Sequence, residues 1–465
     1  MNTQGMNMRQ EQDSLGMVEI EEDNYWGAQT ERSRRNFPIG QETIPIEVIY
    51  AQALIKKAAA IVNHEQNTLS FDKKEKICAG VDAIIRGELD RHFPLSVWQT
   101  GSGTHTNMNV NELISNYASL REGKPIGSHN PLHPNDEVNL SQSSNDTFPS
   151  AIRIASVQKV TEELLPNLQQ LADAFQEKSI EFKNIVKVGR THLMDAAPLT
   201  LGQELSAYWS QLHTHSQKIK QAIDHVELPL GGTAVGTGLN APPGYAEKVI
   251  SMLNEWTRCQ FTSALNKFSA LSSANDLVRV SGELKNLAGS LMKIANDLRW
   301  MASGPRAGLG ELILPSNEPG SSMMPGKVNP TQCESVTMVA VQVMGNDVTI
   351  GMAGSQGNFE LLVYQPVIAY NLLQSIQLLS DVSKNFCLRC VKGLRPNKER
   401  IAWNLNHSLM LVTALTPVIG YEKSAHIAQV AYQENRTLKK VALALGYVSE
   451  EEFDRMVDPR KMCGL

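Results

Sequence analysis

Val280, Leu284, Leu287, Leu291, Ile294 and Leu298 recur at alternating steps of four and three. That is the spacing of a helix that buries one seam against other helices, and no strand can use it. Val160, Leu164, Leu168, Leu171 and Phe175 carry a similar stripe. Pro166 is expected to break or kink it, because proline removes a backbone donor and crowds the preceding turn. Segments 200–227, 331–352 and 360–392 also read as helices, several longer than the usual range of about 8–20 residues. Long helices with apolar faces require partner helices in a bundle. Seams of this length exceed what one chain covers, so periodicity predicts a mainly α fold built on a central long-helix bundle, and an oligomer.

A chain of 465 residues suggests about three domains. Turn-rich stretches near Glu137–Ser143 and Leu394–Asn397 divide it into a mixed, mostly helical segment 1–140, the bundle 141–395 and a small helical segment 396–465. A net charge of -5 with no long basic run argues against nucleic-acid binding. No stretch is read as the roughly 20 apolar residues of a membrane span, so no membrane partner is expected. Met1–Glu22 is polar and acidic without an apolar run, which predicts no secretory signal. Six cysteines are too sparse for a disulfide framework. Cys387-Leu-Arg-Cys390 has the C-x-x-C spacing, but it ends a helical pattern and no second pair accompanies it, so it reads as structural. These features predict a cytoplasmic protein.

Polar, turn-rich segments punctuate the helices at 98–109, 127–149, 189–198, 229–244 and 303–330. Sites sit on such segments when a rigid scaffold holds them. Gly101-Ser102-Gly103-Thr104 lacks the spacing of a phosphate-binding loop, and a tight turn accounts for its glycines. Thr104, Thr106, Asn107 and Asn109 add donors suited to an anion. His133-Pro-Asn135-Asp136-Glu-Val-Asn139 precedes Ser141-Gln-Ser143-Ser144-Asn145-Asp146. His133, Asp136 and Asp146 match no standard metal-ligand spacing, so no metal is expected. Ser143, Ser144 and Asn145 fall just before a helix expected to start near Phe148-Pro149. Backbone N–H groups there, with the hydroxyls, suit a carboxylate; a simple capping role for Ser144 or Asn145 is the plainer reading, and both can hold at once. Thr191 and His192 stand in Gly189–Asp195, and Glu334 is a conceivable partner for the His192 ring. Finally, Gly320-Ser321-Ser322-Met-Met-Pro-Gly326-Lys327-Val-Asn329-Pro330-Thr-Gln-Cys-Glu334 gathers two hydroxyls, a lysine, an amide and a carboxylate on one turn-rich loop. A proton acceptor beside a cation suits chemistry on an anionic substrate.

The loop 320–334 resembles the signature loop of the fumarase/aspartase superfamily of lyases, and its Gly326-Lys-Val-Asn-Pro-Thr-Gln-Cys-Glu334 ending resembles the class II fumarate hydratase form. Four further blocks fit the same pattern: Gln99–Asn111, His133–Phe148, Gly189–Glu204 and Gly231–Asn240. So do Ile294–Trp300 and Gln356–Glu360, and the likeness runs from about Tyr25 towards the C-terminus. Aspartases usually carry Gln where this chain has His192, and Ala before the loop lysine. Asn130 and Leu140 stand where family members often have basic residues, and His105-Thr106 replaces a common Gln-Ser pair.

The resemblance implies a three-domain, mainly α lyase fold assembled into a multi-helix core in a homotetramer, with active sites shared between subunits and no cofactor or metal. The implied reaction is the reversible hydration of fumarate to L-malate, a tricarboxylic acid cycle step on small dicarboxylates. It further implies Ser321 as the base, His192 with Glu334 as the acid acting through water, and Lys327 stabilising charge. Ser102, Gly103, Thr104, Ser143, Ser144, Asn145, Thr191, Ser322, Lys327 and Asn329 would hold substrate. His133, Asn135, Asp136 and Asn139 would form a secondary carboxylate site. Two alternatives stay open: an aspartase-type ammonia lyase, and a non-catalytic helical scaffold.

Overall fold

The seam that begins at Val280 is one face of a helix, Asn275–Met301, and all six of its predicted seam positions are buried. The chain is described by a computed structural model covering residues 7–464. Residues 1–6, part of the expected first domain and of the polar N-terminal segment, lie outside the described residues, as does Leu465. The expected helices 200–227, 331–352 and 360–392 appear as Leu201–Ile223, Thr331–Gly354 and Gln365–Phe386. Burying one Leu or Ile of such a seam is worth about 1.5–3 kcal/mol, which is what the apolar spacing contributes.

Pro166 does not break its helix. Ser144–Lys159 runs into a wider π turn, Val160–Leu164, and then into Leu165–Glu181. The wide turn just before Pro166 accommodates the missing donor, and Val160, Leu164, Leu168, Leu171 and Phe175 all stay buried. A second π turn, Cys387–Val391, follows Gln365–Phe386. It holds Cys387 and Cys390 buried with free thiols, in keeping with the structural reading of that pair.

The chain forms two compact units. One runs to Leu165 and takes in Gln217–Asn286 and Val341–Leu379. In it the alanine-rich helix Ile46–Glu65 packs against Phe71–Ile85, Ser144–Lys159 and Tyr245–Thr257. The other comprises Pro166–Ser216, Leu287–Ala340 and the chain from Ser380 onward. Its distal part has its own apolar cluster, in which Leu415, Ile427, Val441 and Phe453 are buried around the short helices after Lys398.

Sheet is confined to two-stranded pieces among the described residues. Met8–Asp13 pairs with Gly16–Glu21, and Val186–Thr191 with Met194–Thr200, both antiparallel. The second hairpin occupies a stretch that reads as an irregular polar segment in the sequence. A bulge at Val188/Gly189 interrupts its alternation, and its turn lacks the Asn-Gly or Gly-X signal of a tight hairpin.

The helix Thr331–Gly354 overturns the expectation that no stretch is apolar enough for a membrane span. By length and composition it qualifies, with a mean hydropathy of 1.2, and only 33% of that window is buried. The cause is a second apolar face, on which Met338, Val341, Val348 and Met352 are all exposed. Its opposite side buries Val336, Ala340, Val343 and Ile350 and also carries engaged polar groups: Asp347 accepts from Ser281 Oγ and Lys285 Nζ, at 2.7 and 2.6 Å.

Candidate active site

In the first unit, three hydroxyls form a chain at the starts of two helices. Ser102 Oγ lies 2.8 Å from Thr104 Oγ1, which lies 2.7 Å from Ser144 Oγ. Thr104 opens the helix Thr104–Arg121 behind Gly103, whose φ is +73°. The two glycines are there for space: a Cβ on Gly101 would meet the Val363 carbonyl oxygen at 1.5 Å, and one on Gly103 the Phe148 ring at 2.2 Å. Thr106, Asn107 and Asn109, read from the sequence as anion donors, are buried within that helix. They bond instead to Gln99, to Gln52 and Lys56, and to the His92 carbonyl.

The second helix starts at Ser144, four residues before its expected start. Ser143 is the N-cap, and Asp146 closes a capping box with it. This satisfies the first-turn donors reciprocally and frees Ser144 Oγ and the Asn145 side chain from capping. Asn145 Nδ2 donates to the Ala234 carbonyl at 2.8 Å. The other oxygen of Asp146 accepts the N–H groups of Gly231 and Thr233, both at 3.0 Å. Asp146 is thus a clamp between the Ser143–Asn145 turn and the 229–244 segment. Burial pushes its carboxyl up to about 6, against the opposing pull of those backbone donors.

Behind both helix starts lies a buried lysine that sequence reading missed. Lys56 is fully buried, and Nζ donates to Asn107 Oδ1 at 2.6 Å and Asn139 Oδ1 at 2.9 Å. Asn139 Oδ1 also accepts from Asn107 and Asn111, while Asn139 Nδ2 donates to the Gln142 carbonyl. The Asn139 amide is therefore committed inward. Burial pushes Lys56 down to about 7, with the Asp146 carboxylate pulling the other way. Below about pH 7 the lysine is charged in the folded and unfolded chain alike, and the cost of burying that charge is fully present. Between about 7 and its ordinary 10.5 only the unfolded chain keeps the proton, so stability rises with pH. Between urea midpoints taken near pH 7 and near pH 10, the natural chain is expected to gain on Lys56→Met by up to about 1.4 kcal/mol per pH unit. A difference that does not change with pH would show that this ammonium carries no such cost.

The segment expected to form a secondary carboxylate site enters a short π turn, Pro134–Val138, capped by His133. His133 Nδ1 accepts the N–H groups of Asn135 and Asp136 at 3.3 and 3.2 Å. The same nitrogen lies 3.4 Å from Asp136 Oδ2. His129 packs edge to face on this ring at 4.7 Å. His133, Asn135 and Asp136 thus stand together, apart from the inward Asn139 amide.

In the second unit, Thr191 pairs with Met194 at the end of the hairpin, leaving His192 and Leu193 as a two-residue turn. Both have positive φ, 56° and 64°, the geometry of a type I′ turn that favours Asn and Gly. His192 is exposed at the tip with Leu193 and Met194. Strained backbone of this kind persists where a surrounding scaffold over-determines it, often at functional positions.

The loop 314–330 follows the short strand Leu312–Ile313. Gly320 N–H donates to the Lys327 carbonyl at 2.8 Å, and Asn329 Nδ2 to the Gly320 carbonyl. A Cβ on Gly320 would lie 2.5 Å from that Lys327 oxygen, so the closure requires glycine. Lys327 Nζ donates to Asn329 Oδ1 at 2.8 Å. Within this closed loop, Ser321 Oγ accepts the N–H groups of Met323 at 3.1 Å and Met324 at 2.9 Å. Two backbone donors on one oxygen favour its negative form. Ser321 and Lys327 line an open hollow of about 490 Å³ with Ser316, Asn317, Glu318 and Val328. Ser322 is exposed beside it, and Glu334 is half-buried in the first turn of Thr331–Gly354. Among the described residues no hydrogen bond joins His192 to Glu334 within one chain.

Comparison with known proteins finds relatives over nearly the whole chain. A family model described as lyase matches residues 16–345, and one described as fumarase C C-terminus matches residues 411–464. The chain is 55% identical over 460 residues to a class II fumarate hydratase of Helicobacter pylori, covering 99% of each chain. It is 56% identical over 457 residues to one from Thermosynechococcus vestitus, covering 98% of each. Its fold superimposes on the crystal structure of a class II fumarase from Schistosoma mansoni with a TM-score of 0.96 at 42% identity, covering 98% of this chain and 99% of that one. With the family matched from end to end and the fold shared, the chain belongs to the class II fumarate hydratases.

Proposed function

We propose that Ser321 is the base in the interconversion of fumarate and L-malate, the tricarboxylic acid cycle reaction that this chain catalyses as a metal-independent hydro-lyase of class II. The observation that carries the assignment is the Ser321 oxygen receiving two backbone N–H groups beside Lys327 in an open hollow. Going from malate, the ionised oxygen takes the C3 proton, and its electron pair passes into the neighbouring carboxylate as an aci-carboxylate. Collapse of that intermediate expels the C2 hydroxyl, which takes a proton supplied from the His192 side and leaves as water. Lys327 and Asn329 hold the carboxylate where charge develops, because donors fixed before the reaction need no reorganisation. Ser102, Gly103, Thr104, Ser143, Ser144 and Asn145 bind the other carboxylate at the paired helix starts, where backbone donors favour an anion. Thr191 and Ser322 complete the contacts to substrate. Glu334 orients His192, and His133, Asn135 and Asp136 form a secondary carboxylate site.

The active assembly is a homotetramer in the cytoplasm, with each site drawn from several subunits. The exposed apolar face of Thr331–Gly354 supports helix packing between copies. The polar bonds on its other side favour protein neighbours over lipid. Six free thiols suit a reducing compartment. The division at residues 140 and 395 belongs to this reading, supported by the separate apolar cluster near the C-terminus. Val341→Glu places a charge on the exposed face and is expected to reduce sedimentation to that of a single chain and to abolish turnover. A variant that stays assembled and active would exclude this face from the interface.

The experiment for the reaction is ultraviolet absorbance with L-malate in chelator-containing buffer, repeated with L-aspartate. Fumarate from malate alone is expected. Fumarate from aspartate would place the chain with the ammonia lyases.

A further inference from the structure

The His192 hairpin and the root of the Ser321 loop meet at one buried carboxylate. Glu311 has no exposed surface, and both its oxygens are engaged by the guanidinium of Arg190. Nη1 donates to Oε2 at 2.9 Å and Nη2 to Oε1 at 2.7 Å. Asn404 Nδ2 adds a bond to Oε1 at 2.9 Å, and Lys187 Nζ lies 3.4 Å from Oε2. Arg190 pairs with Asp195 one step below the Thr191–Met194 pair that closes the turn. Glu311 is fixed through its backbone as well: its N–H donates to the Met301 carbonyl, and its own carbonyl accepts from Asn397, both at 2.8 Å. The next residue, Leu312, begins the strand that leads into the loop. Burial pushes the Glu311 carboxyl up, but Arg190, Lys187 and Asn404 outweigh it and hold it below its ordinary value.

We propose that Glu311 is a positioning residue for His192: its fork to Arg190 sets where the hairpin tip stands relative to the root of the Ser321 loop. A planar guanidinium gripping both carboxylate oxygens fixes orientation as well as distance. A tip with two positive φ angles needs such an anchor, since its own sequence does not favour the turn. Glu311 itself touches no substrate. The inference rests on the assignment of His192 as the acid side of the reaction, and the test separates the two.

Glu311→Gln is made in the natural chain and in a His192→Asn background, with assembly checked by sedimentation and kcat and KM read for malate. In the natural chain kcat is expected to fall about 10–100-fold, with KM within about threefold. In the His192→Asn background the same change is expected to cost less than about threefold, because the group it positions is already gone. If Glu311→Gln does not assemble, Arg190→Lys takes its place in both backgrounds. It keeps a cation opposite Glu311 and removes only the fork. Equal losses in the two backgrounds, with His192→Asn itself impaired, would overturn this inference alone. A fully active His192→Asn would overturn the assignment of His192 and this inference with it. No loss in either variant would overturn the positioning role.

Discussion

Ser321→Ala is expected to lower kcat by roughly 10³–10⁴-fold, near the upper end of what a single proton-transfer group contributes, with little change in KM or assembly. The structure argues that the loss is chemical. The substitution removes one oxygen from a loop whose closure is made elsewhere, by Gly320 with the Lys327 carbonyl and by Asn329 with the Gly320 carbonyl. Met323 and Met324, which lose their acceptor, are 87% and 52% exposed. Water can replace the missing bonds, so the cost in stability should stay within about 1 kcal/mol. Initial rates from fumarate absorbance, with an unfolding midpoint on the same preparation, read both quantities. Turnover within about tenfold of the natural chain would be too high for loss of the base and would move that role to another residue.

His192→Asn is expected to cost about 10²–10³-fold in kcat while leaving stability unchanged or slightly improved. The two effects have separate origins. The loss of rate follows from removing an imidazole, whose ring nitrogens can accept and donate a proton, which an amide cannot do. The stability effect follows from backbone geometry: His192 has a φ of 56° at the first position of its turn, a region Asn enters more readily than most residues. A raised thermal midpoint with a collapsed rate would mark His192 as a residue kept for chemistry against local preference. An unchanged rate would place the acid elsewhere. A lowered midpoint would mean that the ring makes stabilising contacts at the hairpin tip.

What could be read from the sequence divides along physical lines. The seams of Asn275–Met301 and of the stretch from Val160 to Phe175 were legible because a local period determines which side chains face inward. The polar blocks were legible as blocks, since turn residues interrupt that period. What each polar residue does within its block was not. Thr106, Asn107 and Asn109 look like donors to an anion until the helix is seen to begin at Thr104 and turn them inward. The start at Ser144 could have been recognised from the Ser143–Asp146 spacing, but Phe148-Pro149 suggested a later one. The hairpin carrying His192 gave no turn signal because its tip is held from outside, by Arg190 on Glu311, far away in the chain. Lys56 stands in an alanine-rich helix and reads as a solvated position. Its partners Asn107 and Asn139 are 51 and 83 residues away, and nothing local announces a buried ammonium.

The two N–H groups on the Ser321 oxygen set an order of events. A neutral serine hydroxyl has two lone pairs and one hydrogen, and here both lone pairs are occupied. In that state the only feature it can offer to the hollow is its hydrogen, which makes it a donor towards whatever arrives. Loss of that proton leaves a third pair, unshared with the backbone, on an oxygen that lines the hollow. The oxygen can therefore act as a base only after it has given up its own proton, and then along a single direction. A dicarboxylate that arrives before ionisation meets a hydrogen-bond donor, and one that arrives after it meets a base.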